Sequence, residues 1–158
     1  MHKLRRLATG LGANVDFVGF VSDEDLGGYY SRAKALLFPG VEDFGIVPVE
    51  AIAAGCPVIA FKKGGVLDSM TKDTATLYSD SSAEGLVEAM RAFEATAASF
   101  NEAVMRKQAE LFSESAFLQG FELLLDRALR ETQPATRDGF LVSGHGMFRE
   151  KPDWSPAE

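Results

Sequence analysis

Glu42-Asp43-Phe44-Gly45-Ile46-Val47-Pro48-Val49-Glu50 runs through Ala51-Ile52-Ala53-Ala54-Gly55 into Cys56-Pro57-Val58-Ile59-Ala60-Phe61, and then to Gly64-Gly65. Pro48 fits only the first turn of a helix, because its ring fixes φ and it has no N–H to donate. A helix is therefore expected from near Val47 to Gly55, where glycine supplies the left-handed cap and Pro57 stops any continuation. Val58-Ile59-Ala60-Phe61 is a continuous apolar run of the kind found in strands buried on both faces. Upstream, Lys34-Ala35-Leu36-Leu37-Phe38 has the same character and ends at Pro39-Gly40. The unit is strand, loop, helix, strand, which specifies a parallel α/β layer with right-handed connections.

The same reading extends in both directions. Leu4, Leu7, Ala8 and Leu11 recur at helical spacing and stop near Gly12. Val15-Asp16-Phe17-Val18-Gly19 alternates as a strand does. Ser22 followed by Asp23, Glu24 and Asp25 reads as an N-cap with acids in the first turn of a helix reaching Ala33. Ala75-Thr76-Leu77-Tyr78 is a weaker strand. Apolar stripes then place helices over 83–94, 100–112 and 116–130, the first carried by Leu86, Met90 and Phe93 and the last by Phe117, Phe121, Leu124, Leu125 and Leu129. The expected organisation is a domain over 1–132 and a poorly ordered tail over 133–158, in which Gly139-Phe140-Leu141-Val142-Ser143 has the alternative of an edge strand.

Composition excludes several classes. The chain has 158 residues, 46% hydrophobic and 25% charged, with a formal net charge of -7. That is the make-up of a folded domain with a core, and its acidity argues against a nucleic-acid partner. The single cysteine, Cys56, has no partner for an internal disulfide and lies in an apolar run, so a buried inert thiol in a reducing, cytoplasmic setting is expected. No apolar run approaches the roughly 20 residues that a membrane-spanning helix needs.

The chemistry concentrates around the quoted stretch. In parallel sheets, ligands bind at the carboxyl ends of strands, and Glu42 follows such an end. The N–H groups of Gly45, Ile46 and Val47 precede or open the helix and lack intrahelical acceptors. Together with the positive end of the helix dipole they form a place for phosphate, and the missing side chain of Gly45 is expected to let a ligand approach the backbone. Glu50 lies within a turn of the opening, placed to accept hydrogen bonds from vicinal hydroxyls such as those of a ribose. Two glutamates flanking a surface helix are common, so the case rests on the whole ordered set of residues.

That set resembles the nucleotide-sugar-binding motif of the group 1 glycosyltransferases, retaining enzymes with the two-domain GT-B fold. The residues concerned are Glu42 to Glu50, Pro57-Val58-Ile59-Ala60 and Gly64-Gly65. The likeness extends upstream through 15–22 and Leu26 to Tyr30, reaches Leu86 and Met90 downstream, and fades after about Leu129. It is nearest to mannosyltransferase-like members. The resemblance implies an α/β, Rossmann-like parallel sheet with flanking helices, the C-terminal half of such an enzyme and incomplete at the N-terminus. It implies that Glu42 acts at the anomeric carbon of a donor hexose, that Asp43, Phe44, Gly45, Ile46 and Val47 line the sugar and diphosphate, that Glu50 holds the ribose, and that Phe20 and Val21 touch the base.

It further implies a nucleotide-diphosphate sugar as donor, retention of anomeric configuration, no cofactor and no metal. His2 and His145 lie far from the acidic cluster in sequence, as surface residues would. Members also carry an acceptor domain, two earlier strands, and a glycine-rich turn with the Arg and Lys that hold the diphosphate, none of which is present here. Lys62 and Lys63, beside Gly64-Gly65, read as a solvated pair. The chain alone is therefore expected to lack useful turnover and to expose sheet edges, which favours a separate partner chain or self-association. The alternative is a non-catalytic remnant or regulatory module of the same fold. A flavodoxin-like signalling domain would require an aspartate-rich pocket after its first strand, and the sequence has none.

Overall fold

In a computed structural model, which describes residues 2–132, three strands form one parallel sheet in the order β1 (Leu36–Phe38), β2 (Val58–Phe61), β3 (Ala75–Tyr78). Leu36 sits opposite Val58, and Ile59 opposite Thr76. The central strand is buried on both faces, as its unbroken apolar run requires. Its side chains alternate between two packing layers. Val58 and Ala60 join a cluster with Phe38, Val49, Ile52, Met70 and Met105, whereas Ile59 packs with Ala89 and Phe93 on the other face. The chain divides into two units, one ending at Phe121 and the other beginning at Glu122, and the sheet and both clusters lie in the first.

Seven α-helices are assigned among the described residues: α1 (His2–Gly10), α2 (Asp23–Arg32), α3 (Ile46–Ala53), α4 (Val66–Ser69), α5 (Ala83–Thr96), α6 (Glu102–Glu110) and α7 (Glu114–Thr132). The crossover helix α3 buries Pro48, Val49, Ala51 and Ile52, and it packs against α6 and α2. It ends in a Schellman motif: the Cys56 N–H donates to the Ala51 carbonyl at 2.9 Å and the Gly55 N–H to Ile52 at 3.1 Å, with Gly55 at φ 84°. Ser22 caps α2 by accepting from the Asp25 N–H. Cys56 is fully buried and His2 is exposed.

Several sequence expectations need correction. The 15–19 segment is not a strand. A strand exists by its ladder, and none of the described strands pairs with the outer edge of β1. The Phe17 carbonyl instead accepts from Arg5 Nη2 at 3.2 Å, with the guanidinium over the Phe17 ring. The four-residue α4 was not foreseen, being too short to display a period. The 100–112 helix is shorter than read, because Asn101 accepts from the N–H groups of Ala103 and Val104 and fixes the start of α6 at Glu102. The 139–143 segment and His145 lie outside the described residues.

Candidate functional site

Parallel pairing of β1 and β2 brings two connections to one edge of the sheet, the 39–45 loop after Phe38 and the 62–65 loop after Phe61. The first opens α3. Gly45 is its N-cap residue at φ 76°, ψ 67°, and provides no side-chain hydrogen bond. Pro48 contributes no N–H, so the first-turn donors are those of Ile46 and Val47. The backbone at Gly45 has its own need for glycine. A Cβ there would meet Pro48 at 3.8 Å and Phe38 Cε1 at 3.9 Å, which is ordinary contact within the chain, whereas the positive φ favours glycine.

Glu42, Asp43 and Ile46 are exposed, and Val47 packs its side chain against the core. Phe44 is half exposed and meets Phe112 edge to face, ring centroids 5.9 Å apart. Glu50, one turn beyond Ile46 and on the same stripe of α3, is exposed between two grooves. One is shared with Ile46, Arg106 and Phe112, the other with Leu26 and Tyr30. The Tyr30 hydroxyl is raised above its ordinary pKa, first by burial and then by the negative charge of Glu50 beside it and of Cys56. The sequence places Tyr30 in a helix and within the family likeness, without a role at the site. Its pairing with Glu50 is a contact between α2 and α3, and its signal in the sequence was the Leu26, Tyr30 spacing that turns both toward α3.

Phe20 and Val21 line a different depression, a cleft of about 650 Å³ with Tyr29 and Arg32 on its wall. Phe20 is 94% exposed, a large apolar surface free to stack. The Arg32 guanidinium lies over the Tyr29 ring at 5.6 Å. The structure thus brings Glu42, Asp43, Phe44 and Gly45 together on one loop leading into Ile46, Val47 and Glu50. It sets Phe20 and Val21 in a separate cleft on the α2 side. Lys62 and Lys63 are exposed.

The family described as glycosyl transferases group 1 matches residues 1–110. The chain belongs to the group 1 glycosyltransferases. It is 30% identical over 113 residues to a GDP-mannose-dependent alpha-(1-6)-phosphatidylinositol dimannoside mannosyltransferase of Mycobacterium tuberculosis, covering 70% of this chain and 29% of that protein. It is 31% identical over 134 residues to an alpha-1,3/1,6-mannosyltransferase of Candida glabrata, covering 77% of this chain and 29% of that one. Among solved structures it is similar to sucrose-phosphate synthase from Thermosynechococcus elongatus, with TM-score 0.70, 28% identity, and coverage of 83% of this chain and 35% of that chain. This group 1 glycosyltransferase chain therefore spans about a third or less of the length of these relatives. Its fold is that of the GT-B glycosyltransferases. The family match takes in Phe20, Val21, the acidic loop, α3 and Gly64-Gly65, and stops before α7.

Proposed function

We propose that this chain is the donor-binding part of a retaining glycosyltransferase that moves a hexose, mannose first among candidates, from a nucleotide-diphosphate sugar. The diphosphate lies over the first turn of α3 against the N–H groups of Ile46 and Val47. Glu50 accepts from the ribose hydroxyls, Phe20 and Val21 take the base, and Glu42 lies by the anomeric carbon. As the bond from that carbon to the diphosphate breaks, negative charge grows on the leaving group, where fixed amides stabilise it. Losing one such preorganised donor costs about 10²–10³ in rate. Asp43 and Phe44 shape the sugar side. No metal or cofactor is assigned to this step.

The observation that carries the reading is an uncapped helix start, opened by a left-handed glycine, with exposed carboxylates on the loop before it and one turn into it. The mannose assignment draws on the relatives, one of which is named GDP-mannose-dependent. Because the chain covers 29% of those mannosyltransferases, turnover is assigned to its assembly with an acceptor-binding part and donor binding to the chain itself.

Calorimetric titration with GDP, UDP and their sugar conjugates tests this. Glu50→Ala is expected to weaken the preferred nucleotide by about tenfold or more, the scale of hydrogen bonds to a charged group. Equal affinity in the two proteins removes the ribose assignment, and no binding by the unaltered chain removes the function.

A further inference from the structure

Gly64 and Gly65 sit where the loop after β2 meets the acidic loop after β1, and their surroundings differ from those of Gly45. A Cβ on Gly64 would stand 2.5 Å from the Glu42 carbonyl oxygen and 3.1 Å from Val41 Cγ1. One on Gly65 would stand 2.2 Å from the Phe44 carbonyl oxygen and 2.5 Å from that of Asp43. Apart from Val41 Cγ1 these neighbours are backbone, which has no rotamer to give way. Gly64 is in addition at φ 76°. The contact is also bonded: the Gly65 N–H donates to the Glu42 carbonyl at 2.8 Å.

The far side of the Gly65 peptide is fixed as well. Its carbonyl accepts from the Ser69 hydroxyl at 3.1 Å and from the Asp68 and Ser69 N–H groups. Ser69 is fully buried, and its own carbonyl accepts from Gln108 Nε2 on α6 at 3.0 Å. Hydrogen bonds thus link α6 through α4 to the backbone of Glu42. Phe112, just past α6, supports the same loop at Phe44.

The geometry points to Gly64 and Gly65 as positioning residues, a flat backbone platform on which the 42–44 loop is laid so that the Glu42 carboxylate is presented from a fixed place. They touch no ligand in this account. The platform rests on the donor-site reading only for its purpose, since the carboxylate it positions is the one assigned to the sugar.

The test uses the full chain without ligand. In the unaltered protein, proton–proton contacts between Gly65 and the 42–44 backbone are expected by NMR, and Gly65 amide exchange is expected to be slowed by about a hundredfold or more relative to an open chain. Gly65→Ala is expected to move the 42–46 amide resonances more than any outside 62–69, leaving α5 resonances in place. Ser69→Ala, which removes one hydrogen bond without adding bulk, is expected to move the same set less and decides the matter if the glycine variant fails to fold. Unmoved 42–46 resonances in Ser69→Ala and in a folded Gly65→Ala overturn the proposal, as do changes spread equally over α5.

A ligand arm separates positioning from general damage. Gly65→Ala is expected to weaken GDP-mannose by a larger factor than GDP, because the displaced 42–44 loop faces the sugar, and equal loss of both overturns the assignment. Failure of the unaltered chain to bind GDP counts against the donor reading alone, because the spectra without ligand still decide whether the platform exists.

Discussion

Residues 2–33 and residues 36–110 contain equally readable helices, yet they differ in what those helices bury. None of the residues of α1 or α2 is buried, although α1 presents Leu4 and Leu7 and α2 is properly capped by Ser22. The eight residues of α3 include four buried ones, and the fifteen buried hydrophobic residues among the described ones all fall between Phe38 and Ala109. Period and capping decide that a helix forms, whereas burial depends on which neighbours a face can reach. The 15–19 segment teaches the same lesson for strands. Its alternation is real, but β1 and β2 are already paired and no described strand lies along the outer edge of β1.

The contrast is broken most forcefully by truncating one apolar side chain from each region. Ile52→Ala, at a position with 0% exposure, is expected to cost about 2–5 kcal/mol in urea unfolding. Leu7→Ala, 58% exposed on α1, is expected to stay within about 0.5 kcal/mol. Similar costs at both positions would mean that α1, like Tyr30 of α2, packs on the core.

Glycine-to-alanine substitutions sharpen the comparison with opposite signs. Gly45 holds a left-handed φ of 76°, so Gly45→Ala is expected to lower stability by about 1–2 kcal/mol. Gly27 lies inside α2 with open space where a Cβ would go, so Gly27→Ala is expected to raise helix stability by about 0.4–1 kcal/mol. Thermal unfolding followed by circular dichroism reads both.

The smallest effect concerns the one link from α2 to α3 that carries charge. The Tyr30 hydroxyl titrates above its ordinary 10.0, chiefly through burial and then through Glu50 and Cys56. The folded chain therefore holds this proton more tightly than the unfolded chain. The contribution is intact below the unfolded value and is lost as pH rises from about 10 through the folded one. Tyr30→Phe is expected to flatten part of the alkaline decline in the urea midpoint. Part will remain, because burial also raises Cys56 and Tyr78. An unchanged profile would separate Tyr30 from the site.

Much of this architecture was legible in the sequence, for identifiable reasons. Strand β2 showed as a continuous apolar run because a central parallel strand needs no polar face, and α3 was bracketed by Pro48 and Gly55; β1, expected to be buried on both faces, is an edge strand whose Leu37 is exposed, because no described strand covers its outer side. The candidate site was legible as far as it is local: the acidic loop, the uncapped helix start and Glu50 all lie within nine residues. What was not legible is tertiary. Tyr30 meets Glu50 only when α2 packs on α3, and Gly64-Gly65 meets 42–44 only once β1 and β2 pair in parallel. At Gly45 the left-handed φ of 76° was likewise not legible, since a sequence displays the residue but not its φ.

The central claim is that a nucleotide diphosphate seats on the amides opening α3. Amide correlation spectra of the full chain titrated with GDP, and then with UDP, test it most directly. The account predicts that Ile46 and Val47 shift most, followed by Gly45 and Glu50, with Phe20 and Val21 responding to the base. Saturable binding that leaves Ile46 and Val47 unmoved, with the largest shifts at the opposite end of the sheet around Lys34 and Phe100, would contradict it.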